Sequence, residues 1–265
     1  MAIEQFDLCI KPDPEQVVWR YMNLEKFESM LRNNALFFCR ADRFADPFEG
    51  SIPKHEADYR IKESRIISSY YGNEFDPIKT QKNIDAISNL HRKFKKQHVI
   101  NCWHLNNSEN DSMWRLYLDS NEGIAIKTNV KKLINSFVET EDKINISKVR
   151  YLNYEKDIWY DAIQYPIKSY NMFIPLIHKR EEFKQEEEVR LIHSIKNEFE
   201  LDEFWNAQPF PNGRNISINV NKLVGSIYTP PTCDENQIEK VQKIVDKYNF
   251  DFKILKSGLS INPYY

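Results

Sequence analysis

Hydrophobic and polar positions along the chain change period repeatedly, and each change predicts an element. Val17-Val18-Trp19-Arg20-Tyr21 is rich in β-formers and predicts a first strand. Leu24, Phe27, Met30 and Leu31 then recur at helical spacing, with Asn23 as N-cap and Asn33-Asn34 as the stop. Ala35–Cys39 predicts a second strand, and Arg40–Gly50 a polar, aromatic turn punctuated by Pro47 and Gly50. Residues 54–97 are helical and heavily charged, with only a thin apolar stripe of Ile78, Ile84, Ile87 and Leu90; two or three helices are expected there. Strands are predicted at 99–104, 123–128 and 146–151. A loop over 106–111 caps a short helix at 112–117, and Val130, Leu133, Ile134 and Phe137 mark another helix. Asp157–His178 is an aromatic-rich helical stretch interrupted at Pro166 and Pro175. Further on, 216–220 and 223–228 predict strands, Gln237–Tyr248 an amphipathic helix, and 250–255 a last strand. No repeat or low-complexity linker divides the chain. The expectation is one α+β domain over 1–265: a single mixed or antiparallel sheet core with flanking helices and a helical insertion at about 54–97.

Composition narrows the class. The 265 residues are 41% hydrophobic and 13% aromatic, enough for a sizeable core. A net charge of −2 gives no whole-protein field toward nucleic acid or anionic lipid. Six glycines argue against a glycine-rich phosphate loop. Cys9, Cys39, Cys102 and Cys233 are far apart and form no C-x-x-C, which fits a reducing compartment. No signal peptide opens the sequence and no run of about 18 apolar residues occurs, so a soluble, cytoplasmic protein without a membrane partner is expected.

Candidate chemistry concentrates in Lys179–Ser194, KREEFKQEEEVRLIHS. A charged run suited to a helix end or loop gives way to the alternation of Val189, Leu191 and His193. On a strand Glu186, Glu188 and Arg190 share one face. That face is either a solvated one with an in-strand salt bridge or the lining of a cleft. Other residues have equally plain alternatives. Arg20 can rest its stem on neighbouring aromatics. Trp114 and Tyr117, three apart on a helix, suit a core, and Asp46–Gly50 suits a simple turn with Pro47 at its second position. His104 and His178 lack metal-ligand spacing, so no metal is expected. Arg92-Lys93-Phe94-Lys95-Lys96 is most simply a solvated helix face, with guidance of a nucleic-acid acceptor as the alternative.

Tyr21…Asn23-Leu24, Phe44-Ala45-Asp46-Pro47-Phe48-Glu49, Met113-Trp114-x-x-Tyr117 and Lys179…Phe183…Glu186-x-Glu188-x-Arg190 together resemble a bacterial family, domain of unknown function 2971. Ala45 stands where that family usually has Asn, and Phe183 where it usually has Trp. Arg20 on a first strand and Glu186-x-Glu188 on a late one more remotely resemble ADP-ribosyltransferases, whose middle motif has no clear counterpart here. That resemblance implies an ADP-ribosyltransferase-like fold and NAD as substrate. Glu188 would stabilise the oxocarbenium-like charge at the ribose, and Glu186 would orient or deprotonate the acceptor. Arg20 would hold the pyrophosphate and Tyr21 or Trp114 would stack on nicotinamide, with Lys179 and Arg190 in the same pocket. The acceptor would be a protein, a nucleic acid or water, and the role that of a toxin or phage-defence effector. The competing expectations are a Mg²⁺-dependent nuclease using Asp46, Glu49 and Glu188, and a non-catalytic interaction module. On the cleft reading, Lys179, Glu186, Glu188 and Arg190 converge with Arg20 and the Asp46–Glu49 turn.

Overall fold

A computed structural model describes residues 3–4, 8–118, 122–137, 140–159, 173–194 and 212–260. After a two-residue strand β1 (Ile3–Glu4), strand β2 (Val17–Asn23) runs directly into helix α1 (Leu24–Asn33). The Asn23 side chain caps that helix by accepting from the Lys26 amide at 2.9 Å. Phe27, Met30 and Leu31 form its buried stripe. Asn34 turns left-handed at φ 46, so its N–H can return to the last turn and the chain can reverse into β3 (Ala35–Arg40). A 3₁₀ turn (Ala41–Arg43) follows. Two helices come next, α2 (Lys54–Tyr70) and α3 (Pro77–Lys95), then β4 (His98–Leu105), α4 (Asp111–Tyr117), β5 (Gly123–Asn129) and α5 (Val130–Asn135). β6 (Ile144–Lys148), β7 (Arg150–Leu152), β8 (His178–Arg180), β9 (Glu188–Ser194), β10 (Gly213–Ser217), a helical turn (Val220–Leu223), β11 (Ser226–Thr229), a helix (Glu235–Lys247) and β12 (Ile254–Lys256) complete the order.

The protein is α+β with a mixed ten-stranded sheet ordered β1-β6-β9-β4-β2-β5-β11-β12. The pairs β1–β6 and β11–β12 are parallel and the others along this path antiparallel. The sheet forks at β4. Its Val18/Trp19 partners come from β2, paired with Leu105 and His104, whereas Ile100 and Val99 pair with Cys39 and Arg40 of β3, which carries β10 on its far side. On its other side β4 pairs continuously with β9. Side chains bond across the fork. Arg20 Nη1 donates to the Cys102 carbonyl at 2.7 Å, Asn101 Nδ2 donates to the Phe37 carbonyl at 2.8 Å, and Trp103 Nε1 donates to Asn101 Oδ1 at 2.8 Å.

Residues directly opposite in adjacent strands project to the same face. One face carries Val18, Trp103, Ile126, Ile146, Val189 and Leu191, and α1, α5 and the helices at 220–223 and 235–247 cover it to form the main core. The other face carries two smaller apolar clusters. Trp19, Tyr21, Met113, Trp114 and Ala125 make one; Ala41, Ile100, Leu176, Ile177 and Ile192 make the other. Glu188 and Arg190 stand on this second face.

Residues 54–97 form two helices, α2 and α3, joined by residues 71–76. Asp76 caps α3 by accepting from the Lys79 amide at 2.9 Å. Ile84 is the one apolar side chain buried along the two helices, and neither helix supplies a residue to the main core. The strand expected over 146–151 is two strands in different sheets: β6 joins the large sheet and β7 pairs in parallel with β8. The strand expected at 216–220 ends at Ser217 and passes into the helical turn at 220–223. Most of the helical stretch expected over 157–178 lies outside the described residues; within it, Ile174–Ile177 is a 3₁₀ turn. Among the described residues no helix is long and apolar enough to cross a membrane.

Candidate functional site

Three segments meet on the second face. The first is the turn at 46–50. Asp46 Oδ1 accepts from the Phe48 amide at 3.0 Å, and the Asp46 carbonyl accepts from the Glu49 amide at 3.1 Å. Pro47 sits at the second turn position, where its fixed φ is favourable. Gly50 follows at φ +63, with an added Cβ placed 3.0 Å from Leu176 Cδ2. The tight turn aims Glu49 inward, where it is buried.

The second segment is β8, which carries Lys179. The third begins with a 3₁₀ helix over Glu181–Glu186. Glu187 caps it in the left-handed region at φ 37, and β9 starts at Glu188. Glu186 therefore stands on the 3₁₀ helix and not on the strand with Glu188 and Arg190. The left-handed residue turns it back so that both carboxylates still reach one ammonium. Lys179 Nζ lies 2.9 Å from Glu186 Oε2, 3.1 Å from Glu188 Oε1 and 3.4 Å from Glu49 Oε1. Arg190, with its side chain fully buried, holds Glu49 bidentately at 2.9 and 2.8 Å and donates from Nε to Glu188 Oε2 at 2.6 Å. Its Nη1 also donates to the Leu176 carbonyl at 2.7 Å. Three carboxylates and two cations thus form one continuous network. At its rim Arg180 donates to both Asp46 oxygens at 3.2 and 3.0 Å, with its guanidinium 4.6 Å from the Phe48 ring centroid and 5.3 Å from that of Phe183.

The charges split the two neighbouring glutamates. Burial raises the Glu186 carboxyl, and its hydrogen bond with Glu188 and the charge there raise it further, to about 7; Lys179 offsets only part of this. Burial also pushes Glu188 upward, but Arg190 and Lys179 outweigh it and hold Glu188 well below the usual carboxylate range. The pair thus has one firmly ionised member and one that exchanges a proton near neutrality. Burial works against the charge on Lys179, yet Glu188 and Glu49 raise its proton affinity.

Lys179, Glu186, Glu188, Arg190 and the Asp46–Glu49 turn come together. Arg20 does not pair with them: half-buried, it fills the fork of the sheet. Tyr21 and Trp114 are buried against each other with ring centroids 4.9 Å apart. The Tyr21 hydroxyl accepts from the Asn110 amide, and Trp114 Nε1 donates to Glu109 at 3.2 Å. Glu49, expected to converge with the cluster as part of the Asp46–Glu49 turn and named as a ligand in the magnesium alternative, is the direct partner of Arg190. Among the described residues no three His, Cys, Asp or Glu side chains are arranged to hold a metal ion, and Lys179 stands where Glu49, Glu186 and Glu188 meet.

Three further residues border the cluster, and sequence reasoning gave none of them a role there. The Tyr151 hydroxyl accepts from the Glu188 amide at 2.9 Å. His104, opposite Glu188 on β4, donates from Nδ1 to the Glu186 carbonyl at 2.7 Å; its buried Nε2 has no partner among the described residues. Tyr117 has a half-open ring, 41% exposed, but its phenol is pushed up by burial first and then by Cys102, Glu188 and Glu186, with Arg20 opposing. It thus sits within electrostatic reach of Arg20 and of both glutamates. The Met113-Trp114-x-x-Tyr117 spacing was the available signal.

The site is a buried carboxylate–cation cluster on one face of a forked mixed sheet in an α+β protein. Residues 113–191, from α4 through most of β9, match the model of a family described as "Protein of unknown function (DUF2971)". The matched stretch contains Trp114, Tyr117, Lys179, Glu186, Glu188 and Arg190; Arg20 and Glu49 lie before it. No curated protein matches the chain.

Proposed function

We propose that the cluster cleaves the nicotinamide–ribose bond of NAD with glutamate chemistry, as an ADP-ribosyltransferase or NAD glycohydrolase. The observation that carries this is the split pair on Lys179: Glu188 held ionised, and Glu186 exchanging a proton near pH 7. The C–N bond breaks with its electron pair leaving on nicotinamide. The ionised Glu188 stabilises the positive charge that develops at the ribose. An acceptor oxygen bonds to the ribose carbon, and its proton passes to Glu186 in its ionised form. Tyr117, within electrostatic reach of both glutamates, would meet the dinucleotide, whereas Arg20, opposite Ile126 on the core face, would reach its pyrophosphate only through the fork. On this reading the forked sheet is an ADP-ribosyltransferase-like fold and the protein a bacterial effector, in toxicity or phage defence.

A second reading is favoured by the occupancy of Glu188, whose Oε1 and Oε2 are both taken, by Lys179 and Arg190. There the network is a structural clasp tying β8, β9 and the 46–50 turn together. One paired experiment separates the two. Purified protein is incubated with NAD, nicotinamide release is measured, and wild type is compared with Glu188→Gln in turnover and in melting. Catalysis predicts a loss of about 10²–10³-fold in rate with little change in melting. The clasp predicts destabilisation by about 3–5 kcal/mol, because breaking a buried pair strands its partner. No nicotinamide release by wild type, or a variant that melts early while its folded fraction keeps full turnover, removes the enzymatic reading.

A further inference from the structure

The last turn of α3 carries Arg92, Lys93 and Lys95, Lys96 is its C-cap, and beside it the 3₁₀ turn Ala41–Arg43 presents Arg43. Arg92, Lys93 and Arg43 are exposed and Lys96 half-exposed. Among the described residues none of these four has a carboxylate at ion-pair distance. The nearby acids are already engaged: Asp42 with Arg40, Asp46 with Arg180, and Glu49 with Arg190 and Lys179. Among the described residues the positive charge of this edge is therefore uncompensated. It belongs to a segment, 54–97, with ten lysines and arginines against six acids, in a chain whose overall balance is −2. An asymmetry of this kind marks a polyanion-binding surface.

The edge also adjoins the cluster. Lys95 packs on Gly50, the residue after Glu49, and lies within electrostatic reach of Glu49, Asp42 and Asp46. On the turn between Arg43 and Glu49, the Phe48 ring is 46% exposed and backed by Arg180. A row of cations leading to an open aromatic face suits a single strand, whose phosphates follow the cations while an unpaired base stacks. A duplex offers no free base to Phe48.

We propose that Arg43, Arg92, Lys93 and Lys96 form a binding edge for a single-stranded nucleic acid that passes beside the 46–50 turn of the Glu188 cluster. The strand's role as acceptor rests on the NAD-cleaving reading; its binding does not. The test is fluorescence anisotropy of a labelled mixed-sequence 20-mer, as single-stranded DNA, single-stranded RNA and duplex, with the full-length chain and no NAD. The wild type should prefer the single strands, with a log–log salt slope on the order of −3 at about 0.7 per phosphate contact. Arg92→Gln/Lys93→Gln/Lys96→Gln, checked for an unchanged melting curve, should bind at least about tenfold more weakly and flatten the slope to about −1. Phe48→Leu should erase the preference over duplex. Lys62→Gln/Lys82→Gln, on the same helices but away from this edge, should bind as wild type does. Absence of single-strand binding at low salt, equal binding by the triple variant, or preference for duplex overturns the proposal. So do binding to anionic vesicles in place of strands, and a salt-sensitive dimer that the triple substitution abolishes. Because NAD is absent, a negative result leaves the nicotinamide-release experiment standing, and the reverse holds too.

Discussion

At the residue scale, Lys179 and Arg190 decide how the glutamates behave. Burial and the neighbouring Glu188 raise the Glu186 carboxyl, and one ammonium shared among three carboxylates offsets only part of this, so Glu186 retains a proton to about 7. The consequence for stability has a definite sign. Between about 4.5, the unfolded value, and 7, the folded state binds more protons at Glu186 than the unfolded state does. Stability therefore falls as pH rises through this window. Glu186→Gln fixes the protonated shape, so relative to wild type it should gain up to about 2 kcal/mol between pH 5 and pH 8, allowing for solvent screening. Chemical denaturation at the two pH values reads the difference; an unchanged gap between variant and wild type contradicts the split pair. Glu188 works in the opposite direction. Its depressed proton affinity adds stability above the unfolded carboxylate range, and that contribution is lost in strong acid. Arg190 contributes geometry as well as charge. Lysine keeps the charge but not the fork that holds Glu49 while Nε reaches Glu188. Arg190→Lys should therefore lower stability by about 2–3 kcal/mol, less than loss of the whole pair. Equal midpoints in urea would show that a point charge suffices.

At the element scale, the site depends on two backbone departures that aim side chains. Gly50 at φ +63 closes the turn that directs Glu49 inward. Gly50→Ala meets both a left-handed backbone and the Leu176 contact, so a loss of about 1–2 kcal/mol in melting is expected. A variant as stable as wild type would mean that the turn relaxes freely. The second departure is Glu187 at φ 37, between Glu186 and Glu188. A glycine at that point would have announced the break in sequence; a run of three glutamates does not. The alternation of β9 was legible from Val189 onward, and the caps Asn23 and Asn34 made α1 legible at both ends. The split of residues 146–151 between two sheets was not, because it depends on which strand lies alongside. The convergence of the Asp46–Glu49 turn with Arg190 was legible, but not that Glu49 is the bidentate partner of a guanidinium 141 positions away. For Arg20 the sequence offers a stem resting on aromatics or a hold on a pyrophosphate; it lies over the Trp103 ring, but its bond to the Cys102 carbonyl was not legible, because nothing local reveals that β4 exchanges one neighbour for another there.

At the scale of the whole molecule, apolar burial is very unevenly shared. The forked sheet buries residues on both faces, with Val18, Val99, Ile126, Val189 and Leu191 fully enclosed on one and Ala125 and Ile192 on the other. The pair α2–α3 holds its charge at the surface and buries Ile84 alone among its apolar side chains, while Ile66, Ile67, Tyr70, Tyr71 and Ile78 are exposed around its tip. Helices of this length gain most of their stability from packing rather than from propensity. With so little packing to lose, α2 and α3 should open without the sheet. Native-state hydrogen exchange checks this directly. Amides of α2 and α3 should exchange through a local opening insensitive to substitutions in the main core. Those of β2, β4 and β9 should exchange only with global unfolding and respond to Leu191→Ala by about 2–5 kcal/mol. The exception is the last turn of α3. There Phe94 and His98 rings lie 4.1 Å apart, and the Phe94 carbonyl accepts from His98 Nδ1 at 2.7 Å, tying the helix end to β4. Protection should therefore rise along α3 toward Lys95, leaving the basic edge ordered even when the tip of the helix pair is open. Uniform protection across both helices at the level of the sheet would show that the pair shares the core's cooperativity, and with it that the thin apolar stripe is stronger than its burial indicates.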